Sequence, residues 1–406
     1  MLLSLICGTA LTLLPPVAAA VPRFAARTGM HCASCHVNPS GGGMRTPYGR
    51  NVYARRVLPL PGAGGFLAQT SGVGARVEAD TASWFELGTD VRSAYFYVNN
   101  PDPRAEDTNS FFLMQGDLYV SARSGEHLTV YMDRGLHGSF EVFGLLAWPG
   151  QATIVPLASY LKVGRFLPAF GIKDPNHALV TRESIGFAQV DKDTGIEIGG
   201  YLGPWSLQLA LLNGASGDRQ LDASGTARRP FEKAVALRAE SRSRVGHARL
   251  SMGGSFYFSD NLPSVNPLAP ATAVAPRDVG RIGEGVHEIR TGAFGGLSLG
   301  RLTLQGEIDY VRDDFVAQGL ERWHGYVSFA ELSFLPVQGV DLLATYEFAD
   351  PDLRVGRNGF HRVGGVVELF PMELVELRGQ YRYTTSSAGP PRDGMHELIV
   401  YLHLFL

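Results

Sequence analysis

Apolar and polar residues alternate at every second position through much of the chain beyond about residue 83. In the segment 373–383, Glu376 and Arg378 fall on one face of an extended chain, and Leu377 and Tyr381 fall on the other. A period of two with charges on one face predicts β-strands that have water on one side and lipid on the other. The segments run to roughly ten residues, which is the length of a membrane-spanning strand. The pattern therefore predicts an all-β fold, a transmembrane antiparallel β-barrel.

The spacing of the turns predicts how many strands the barrel has. The alternation recurs in 302–311 and 247–258, and the pattern predicts that short turns alternate with long connections along the chain. The predicted short turns fall near 123–126, 202–204, 243–246, 299–301, 335–339 and 370–373. The predicted long connections fall near 99–110, 167–192, 214–231, 259–285, 314–322, 350–359 and 385–395. This order predicts about 16 strands, periplasmic turns, extracellular loops and both chain ends in the periplasm.

Two further features support a barrel in contact with outer-membrane lipid. Trp84, Trp148, Trp205 and Trp323 fall at predicted strand ends, where interfacial girdle residues belong. The last segment, 396–406, alternates leucine and valine with other residues and is similar to the C-terminal strand of bacterial outer-membrane proteins. A large soluble all-β domain is the alternative, since it shows the same alternation with shorter strands.

Composition narrows the class of protein. Only 18% of the 406 residues are charged, yet no apolar run after residue 20 reaches the roughly 18 residues that a transmembrane helix needs. The net charge of −3 gives no indication of a nucleic-acid partner. Residues 1–20 combine an apolar stretch with Ala18, Ala19 and Ala20, which predicts a signal peptide that is removed on export.

One short motif carries the chemistry. Cys32, Cys35 and His36 form C-x-x-C-H, the attachment signature of a c-type haem. The two thiols can bond the two vinyl groups of one porphyrin, and the adjacent histidine can serve as the proximal ligand of the iron. A zinc site would need four ligands, and the chain has no second cysteine pair. The motif predicts one covalent haem c, with Cys32 and Cys35 as thioether residues and His36 as an iron ligand.

The sixth ligand of the iron is less constrained. Met44 follows the run Gly41–Gly43, which would let the chain fold back and bring the thioether to the iron. Met30 competes with Met44, and His31 is adjacent to Cys32 and badly placed to reach the distal side. The carbonyl of Pro39 is a candidate to orient the proximal imidazole.

Domain organisation follows from the motif and the alternation. The chain divides into a signal peptide at 1–20, a monohaem cytochrome c-like plug segment at 21–65, a lead-in at 66–82 and a porin-like barrel at 83–406. A segment as short as 21–65 has too little apolar content to bury a haem alone. A barrel of about 16 strands encloses a wide lumen. The plug is therefore predicted to lie inside the barrel.

The order of export signal, single C-x-x-C-H and porin-sized barrel resembles the fused monohaem cytochrome c–porin family of outer-membrane iron oxidases. The likeness is sharpest in 22–36, PRFAARTGMHCASCH, and weaker at Asn38–Gly43, where the family is expected to carry a Pro-Leu-Asn-Phe-Gly-like run. The segment Gly164–Gly171 also looks like a strand-end motif of phosphate-selective-type porins. The resemblance implies electron transfer of the Fe(II):cytochrome c oxidoreductase type.

Three hypotheses about function follow. The first is an electron conduit that accepts electrons from an extracellular donor, Fe(II) by the resemblance, and passes them to a periplasmic c-type cytochrome or other periplasmic carrier. The second is an electron conduit that works in the opposite direction and passes electrons outward to an extracellular acceptor. The third is a solute porin whose haem segment is a plug. Four acidic loop residues are candidates to attract Fe(II), namely Glu106, Asp107, Asp313 and Asp314.

Overall fold

The computed structural model describes most of the chain. The described residues are 22–63, 84–101, 106–136, 140–149, 158–174, 176, 179–189, 191–214, 233–261, 286–315, 323–387 and 393–406. The predicted signal peptide at 1–20 and lead-in at 66–82 lie outside them. Within these residues, no helix has the length and apolar content to cross a bilayer.

Sixteen strands form one closed antiparallel barrel, as the alternation predicted. Each strand pairs with its neighbours in sequence, and the ring closes where β1 pairs with β16, with Asp90 opposite Phe405. The strands are β1 Phe85–Val98, β2 Thr108–Ser124, β3 Leu128–Gly135, β4 Phe140–Trp148, β5 Ser159–Phe166, β6 Asp193–Leu202, β7 Trp205–Leu212, β8 Ala234–Val245, β9 Ala248–Asn261, β10 Val286–Leu299, β11 Leu302–Phe315, β12 Trp323–Val337, β13 Val340–Asp350, β14 Phe360–Met372, β15 Val375–Ser386 and β16 Met395–Phe405.

The two faces of the barrel differ as the sequence predicted. On β15, Glu376 and Arg378 face inward and are buried, whereas Leu377 and Tyr381 are exposed on the outside. The outward apolar side chains continue around the described wall, and a soluble protein rarely exposes so large an apolar surface. This belt is the surface that a barrel presents to lipid.

Wall height is uneven around the barrel. The strands from β3 to β7 have 8 to 10 residues each, whereas β10 and β11 have 14 each. The predicted alternation of short turns and long connections fails among these short strands, between β3 and β5. The link 136–139 is short where a long one was expected, and the link 149–158 is longer than a turn. Antiparallel pairing permits either length, so the loop order is a tendency that strand pairing does not enforce.

The N-terminal segment lies inside the lumen. It begins with helix α1, Pro22–Thr28, passes through a helical turn at Cys32–Ser34 and ends in a wide π-type helix α2, Gly49–Val57. The amide of Leu60 donates to the carbonyl of Phe370 (2.9 Å), and Gln338 in the β12–β13 turn donates to the carbonyl of Pro59 (2.7 Å). These contacts place residues 22–63, called the plug below, at the end of the barrel that carries the short turns.

Candidate functional site

The backbone of the plug forms a tight loop around His36. His36 forms an isolated antiparallel bridge with Arg45, and the amide of Val37 donates to the carbonyl of Met44 (3.0 Å). The intervening run Gly41–Gly43 has positive φ angles of 90°, 79° and 63°. Three left-handed residues in succession are sterically accessible only to glycine, so this run is what turns the chain back.

The two cysteines differ in exposure. Cys35 is fully buried in an apolar cluster with Phe24, Tyr53 and Phe405. Burial, and to a lesser extent Cys32, raises the pKa of the Cys35 thiol to about 12. Cys32 is partly exposed and lines a small cavity of about 60 Å³.

A much larger cavity opens beside His36. Its volume is about 770 Å³, within the roughly 300–1,000 Å³ typical of ligand and cofactor pockets. The Nδ1 atom of His36 lies 3.3 Å from the carbonyl oxygen of Gly43, which fixes the ring at the cavity wall. Gly43 rather than Pro39 therefore supplies the carbonyl beside the His36 ring, and the Pro39 carbonyl accepts a hydrogen bond from the Tyr201 hydroxyl (3.2 Å).

The wall of this cavity has an apolar part and a charged part. The apolar part is the Cys35 cluster, which contributes Phe24, Tyr53, Ala54, Phe370 and Phe405. The charged part has five basic residues, His403 and a larger number of carboxylates. These are Arg45, Arg92, Lys173, Lys192, Arg378, His403, Asp90, Asp117, Asp133, Glu141, Asp174, Glu368, Glu376 and Glu397. An apolar wall suits a porphyrin ring, and guanidinium groups suit its carboxylates. The apolar wall and the guanidinium groups therefore fit a haem ligated by His36, and Cys35 is buried in the cluster that forms the apolar wall.

The predicted distal candidates are not among the described residues that line this cavity, although Met30 packs against the Cys35 cluster beside it. Met44 is 1% exposed and packs with Tyr119, Tyr131 and Phe143, and it is not among the described residues that line the large cavity. His31 packs against Tyr201 and lines the small cavity. Burial, and to a lesser extent the nearby Arg242, lowers the pKa of His31 to about 4.

Buried ion pairs join the plug to the barrel wall. Arg23 is 1% exposed and pairs with Glu368, with Glu331 and Asp341 further away at 3.9 and 3.7 Å. Burial alone would lower the pKa of Arg23, but these three carboxylates outweigh burial and raise it. At the other side of the plug, Arg45 pairs with Asp90 (3.0 Å). The plug is therefore held by charges on two parts of the wall, β12–β14 and β1.

The predicted extracellular loop 167–192 is folded into the barrel along its described residues. Phe170, Ile185 and Phe187 pack with Val311 and Phe360 on the inner wall. Its Lys173 meets the plug, because the ammonium group donates to the carbonyl of Gly41 (2.5 Å). The lumen is therefore filled from both ends, by the plug and by this loop.

The four acidic residues suggested for Fe(II) attraction differ in exposure. Glu106 and Asp107 are exposed, and Asp107 accepts a hydrogen bond from Tyr97 (2.6 Å). Asp313 is buried and pairs with Arg290, and Asp314 pairs with Arg312. Only the first two therefore face solvent at the barrel mouth.

Sequence reasoning missed His403 and Lys173. The alternation that assigns Leu402 and Leu404 to the lipid face of β16 also places His403 on the lumen face, so this signal was present. No local pattern marks Lys173, because its contact with Gly41 depends on how two distant segments fold into one lumen.

Comparisons with known proteins identify the fold class. No protein-family model matches the sequence, and no curated protein matches it. Among solved structures, OmpT of Vibrio cholerae in its trimer form matches with a TM-score of 0.54 at 10% identity, over 79% of this chain and 99% of that one. The barrel therefore has the porin fold.

Two other porin-type structures are similar to the same extent. The anion-selective porin from Comamonas acidovorans has a TM-score of 0.53 at 11% identity, over 79% of this chain and 99% of that one. The outer membrane channel DcaP of Acinetobacter baumannii has a TM-score of 0.53 at 10% identity, over 79% and 97%. At these identities the likeness concerns the fold alone.

Proposed function

We propose that the chain is an outer-membrane electron conduit of the fused monohaem cytochrome c–porin type. It passes electrons between an extracellular donor, Fe(II) as the first candidate, and a periplasmic c-type cytochrome. The observation that carries the proposal is the position of the C-x-x-C-H segment. His36 lies inside a closed barrel, at the wall of a cavity of about 770 Å³.

Each side chain has a stated role in this proposal. Cys32 and Cys35 hold the porphyrin covalently, and His36 holds the iron, which supplies one-electron chemistry when the haem is bound. The Gly43 carbonyl orients the imidazole of His36. Phe24, Tyr53 and the rest of the apolar wall exclude water, which is one of the factors that set a haem's reduction potential.

The filled lumen favours electron transfer over solute transfer. The plug occupies the end with the short turns, the described residues of the loop 167–192 pack on the inner wall beyond it, and Lys173 joins the two. An open water path for a solute would require one of them to move. An electron needs no such path, because it crosses short distances between redox groups by tunnelling.

The test is an anaerobic Fe(II) titration of the purified protein, followed at the haem absorption bands. Fe(II) should reduce the oxidised protein, and a periplasmic c-type cytochrome should then reoxidise it. The matched control is Cys35→Ala, in which the normal two-thioether attachment is lost. Reduction by the cytochrome and oxidation by an external ferric compound would support the outward direction. Absence of covalent haem from the purified protein would contradict the proposal.

The second candidate function is a solute porin with a haem-bearing plug. It is favoured by one observation, the likeness to the anion-selective porin and to the DcaP channel. Planar bilayer recordings separate the two candidates. A solute porin should conduct in steady steps with the plug in place, whereas a conduit should conduct poorly.

A further inference from the structure

His403 on β16 lines the same large cavity as His36. It is 3% exposed, and its Nδ1 atom lies 2.8 Å from Oε2 of Glu376. Among the described residues, its Nε2 atom is buried and has no hydrogen-bond partner. A buried nitrogen without a partner costs free energy, so its presence at a cavity wall points to a ligand in that cavity.

His36 and His403 have the same kind of contact at Nδ1, an oxygen acceptor. The Nδ1 atom of His36 faces the backbone carbonyl of Gly43, and the Nδ1 atom of His403 faces the carboxylate of Glu376. Histidines that bind a metal almost always donate their other ring N–H to a carbonyl or a carboxylate, which fixes the tautomer. With Nδ1 of His403 protonated by this contact, Nε2 carries the lone pair that binds iron.

Asp90 is the other group that could bind the Nε2 atom of His403. Its Oδ1 atom lies 3.5 Å from Nε2 of His403, which is longer than an ordinary N–H···O bond of about 2.7–3.2 Å. The Asp90 carboxylate is already paired, since Arg45 (3.0 Å) and the Tyr119 hydroxyl (3.0 Å) both donate to it. Asp90 therefore does not depend on His403 for a counter-charge.

We propose that His403 is the second axial ligand of the haem iron and that the barrel, rather than the plug, supplies it. The assignment rests on the proposed function, because it requires a haem at His36. Of the two methionine candidates, Met44 packs into the Tyr119–Tyr131 cluster and Met30 packs against the Cys35 cluster. Neither is among the described residues that line the cavity. Ligation by two histidines implies a lower reduction potential than ligation by histidine and methionine. It would also tie the plug to β16 through the iron.

The test compares His403→Ala with Met44→Ala and with a matched control, His361→Ala. His361 is an exposed residue of β14 whose Nδ1 atom contacts the Tyr346 hydroxyl (2.7 Å). His403→Ala should convert a low-spin haem spectrum to a high-spin one and raise the potential, and added imidazole should restore the low-spin spectrum. The other two variants should keep the wild-type spectrum and potential.

Several results would overturn the assignment. An unchanged low-spin spectrum in His403→Ala is one, and a high-spin spectrum in Met44→Ala together with an unchanged His403→Ala is another. If His403→Ala fails to fold, the spectrum of the wild-type protein decides the question. A sulfur-to-iron charge-transfer band or a high-spin spectrum in the wild type would exclude two histidine ligands. Haem staining of the denatured protein separates this failure from failure of the proposed function. Stained protein with unchanged spectra rejects only His403, and unstained wild type rejects the conduit itself.

Discussion

Arg23→Met should release the N-terminal part of the plug from the barrel wall. Arg23 is 1% exposed, and its guanidinium group faces the three carboxylates of Glu368, Glu331 and Asp341. Methionine fills a similar space but leaves these carboxylates without their main counter-charge. Strand pairing does not involve Arg23, so the barrel itself should still close.

The size of the effect follows from burial. Removing one partner of a buried ion pair costs about 3–5 kcal/mol, because an uncompensated charge remains in a site of low dielectric constant. Each 1.4 kcal/mol corresponds to about a tenfold change in an equilibrium constant. The equilibrium between seated and displaced plug should therefore shift by about 10²- to 10⁴-fold. Arg27 retains its own bond to Asp341 (2.8 Å), which favours the lower end of that range.

Planar bilayer recording measures this shift directly. Arg23→Met should show brief openings that are rare in the wild type, and proteases should cut the plug more readily. Arg56→Met is the matched control, because Arg56 lies in the same segment and is exposed. Adding Glu331→Gln to Arg23→Met removes the charge of a carboxylate that paired with Arg23 and should reverse part of the effect, whereas Glu368 keeps its pair with Arg378 (3.2 Å). Wild-type conductance and protease resistance in Arg23→Met would refute the view that buried ion pairs hold the plug.

Three further predictions concern the plug. Cys35→Ala should abolish normal two-thioether haem attachment while the barrel still folds. Haem staining of a denaturing gel measures the attachment, and heat-modifiable migration measures barrel folding. Full haem staining of the variant would reject the assignment. Deletion of 21–65 should give larger and steadier conductance than the intact protein in planar bilayers; silence of both forms would show that the loop 167–192 closes the lumen alone. Gly43→Ala should destabilise the plug more than Gly62→Ala, as measured by protease resistance. Both glycines have positive φ, so the backbone strain is similar in the two variants. Only at Gly43 would the added Cβ also lie 2.2 Å from the Tyr131 hydroxyl. Equal protease resistance of the two variants would count against that contact.

The fold could be predicted from sequence because the alternation that defines each barrel strand lies within that strand's own residues. Each strand must show one face to lipid and one to the lumen, so the alternation in 373–383 identifies a strand without knowledge of its neighbours. The candidate site was predictable only in part. Cys32, Cys35 and His36 are adjacent in sequence and form a motif. His403 reaches the same cavity from more than 350 residues away, through the closure of β1 on β16.

The inward position of the loop 167–192 was not predictable for a related reason. Its length and its glycine and proline content suit an external loop equally well. What brings it inside is a set of contacts on distant strands, such as the pairing of Arg182 with Glu307 and the packing of Phe187 against Tyr257. Those contacts exist only once the barrel has closed, so no short stretch of sequence contains them.

The uneven wall has a consequence for how the protein sits in a membrane. Strands tilted by about 40° rise roughly 2.5 Å per residue along the barrel axis. The 8 residues of β3 and β7 therefore span about 20 Å, less than the apolar band of about 25 Å typical of such barrels, whereas the 14 residues of β10 exceed it. Hydrophobic mismatch costs a fraction of a kcal/mol per Å. We therefore expect either a thinner bilayer beside β3–β7 or a barrel axis that leans from the membrane normal.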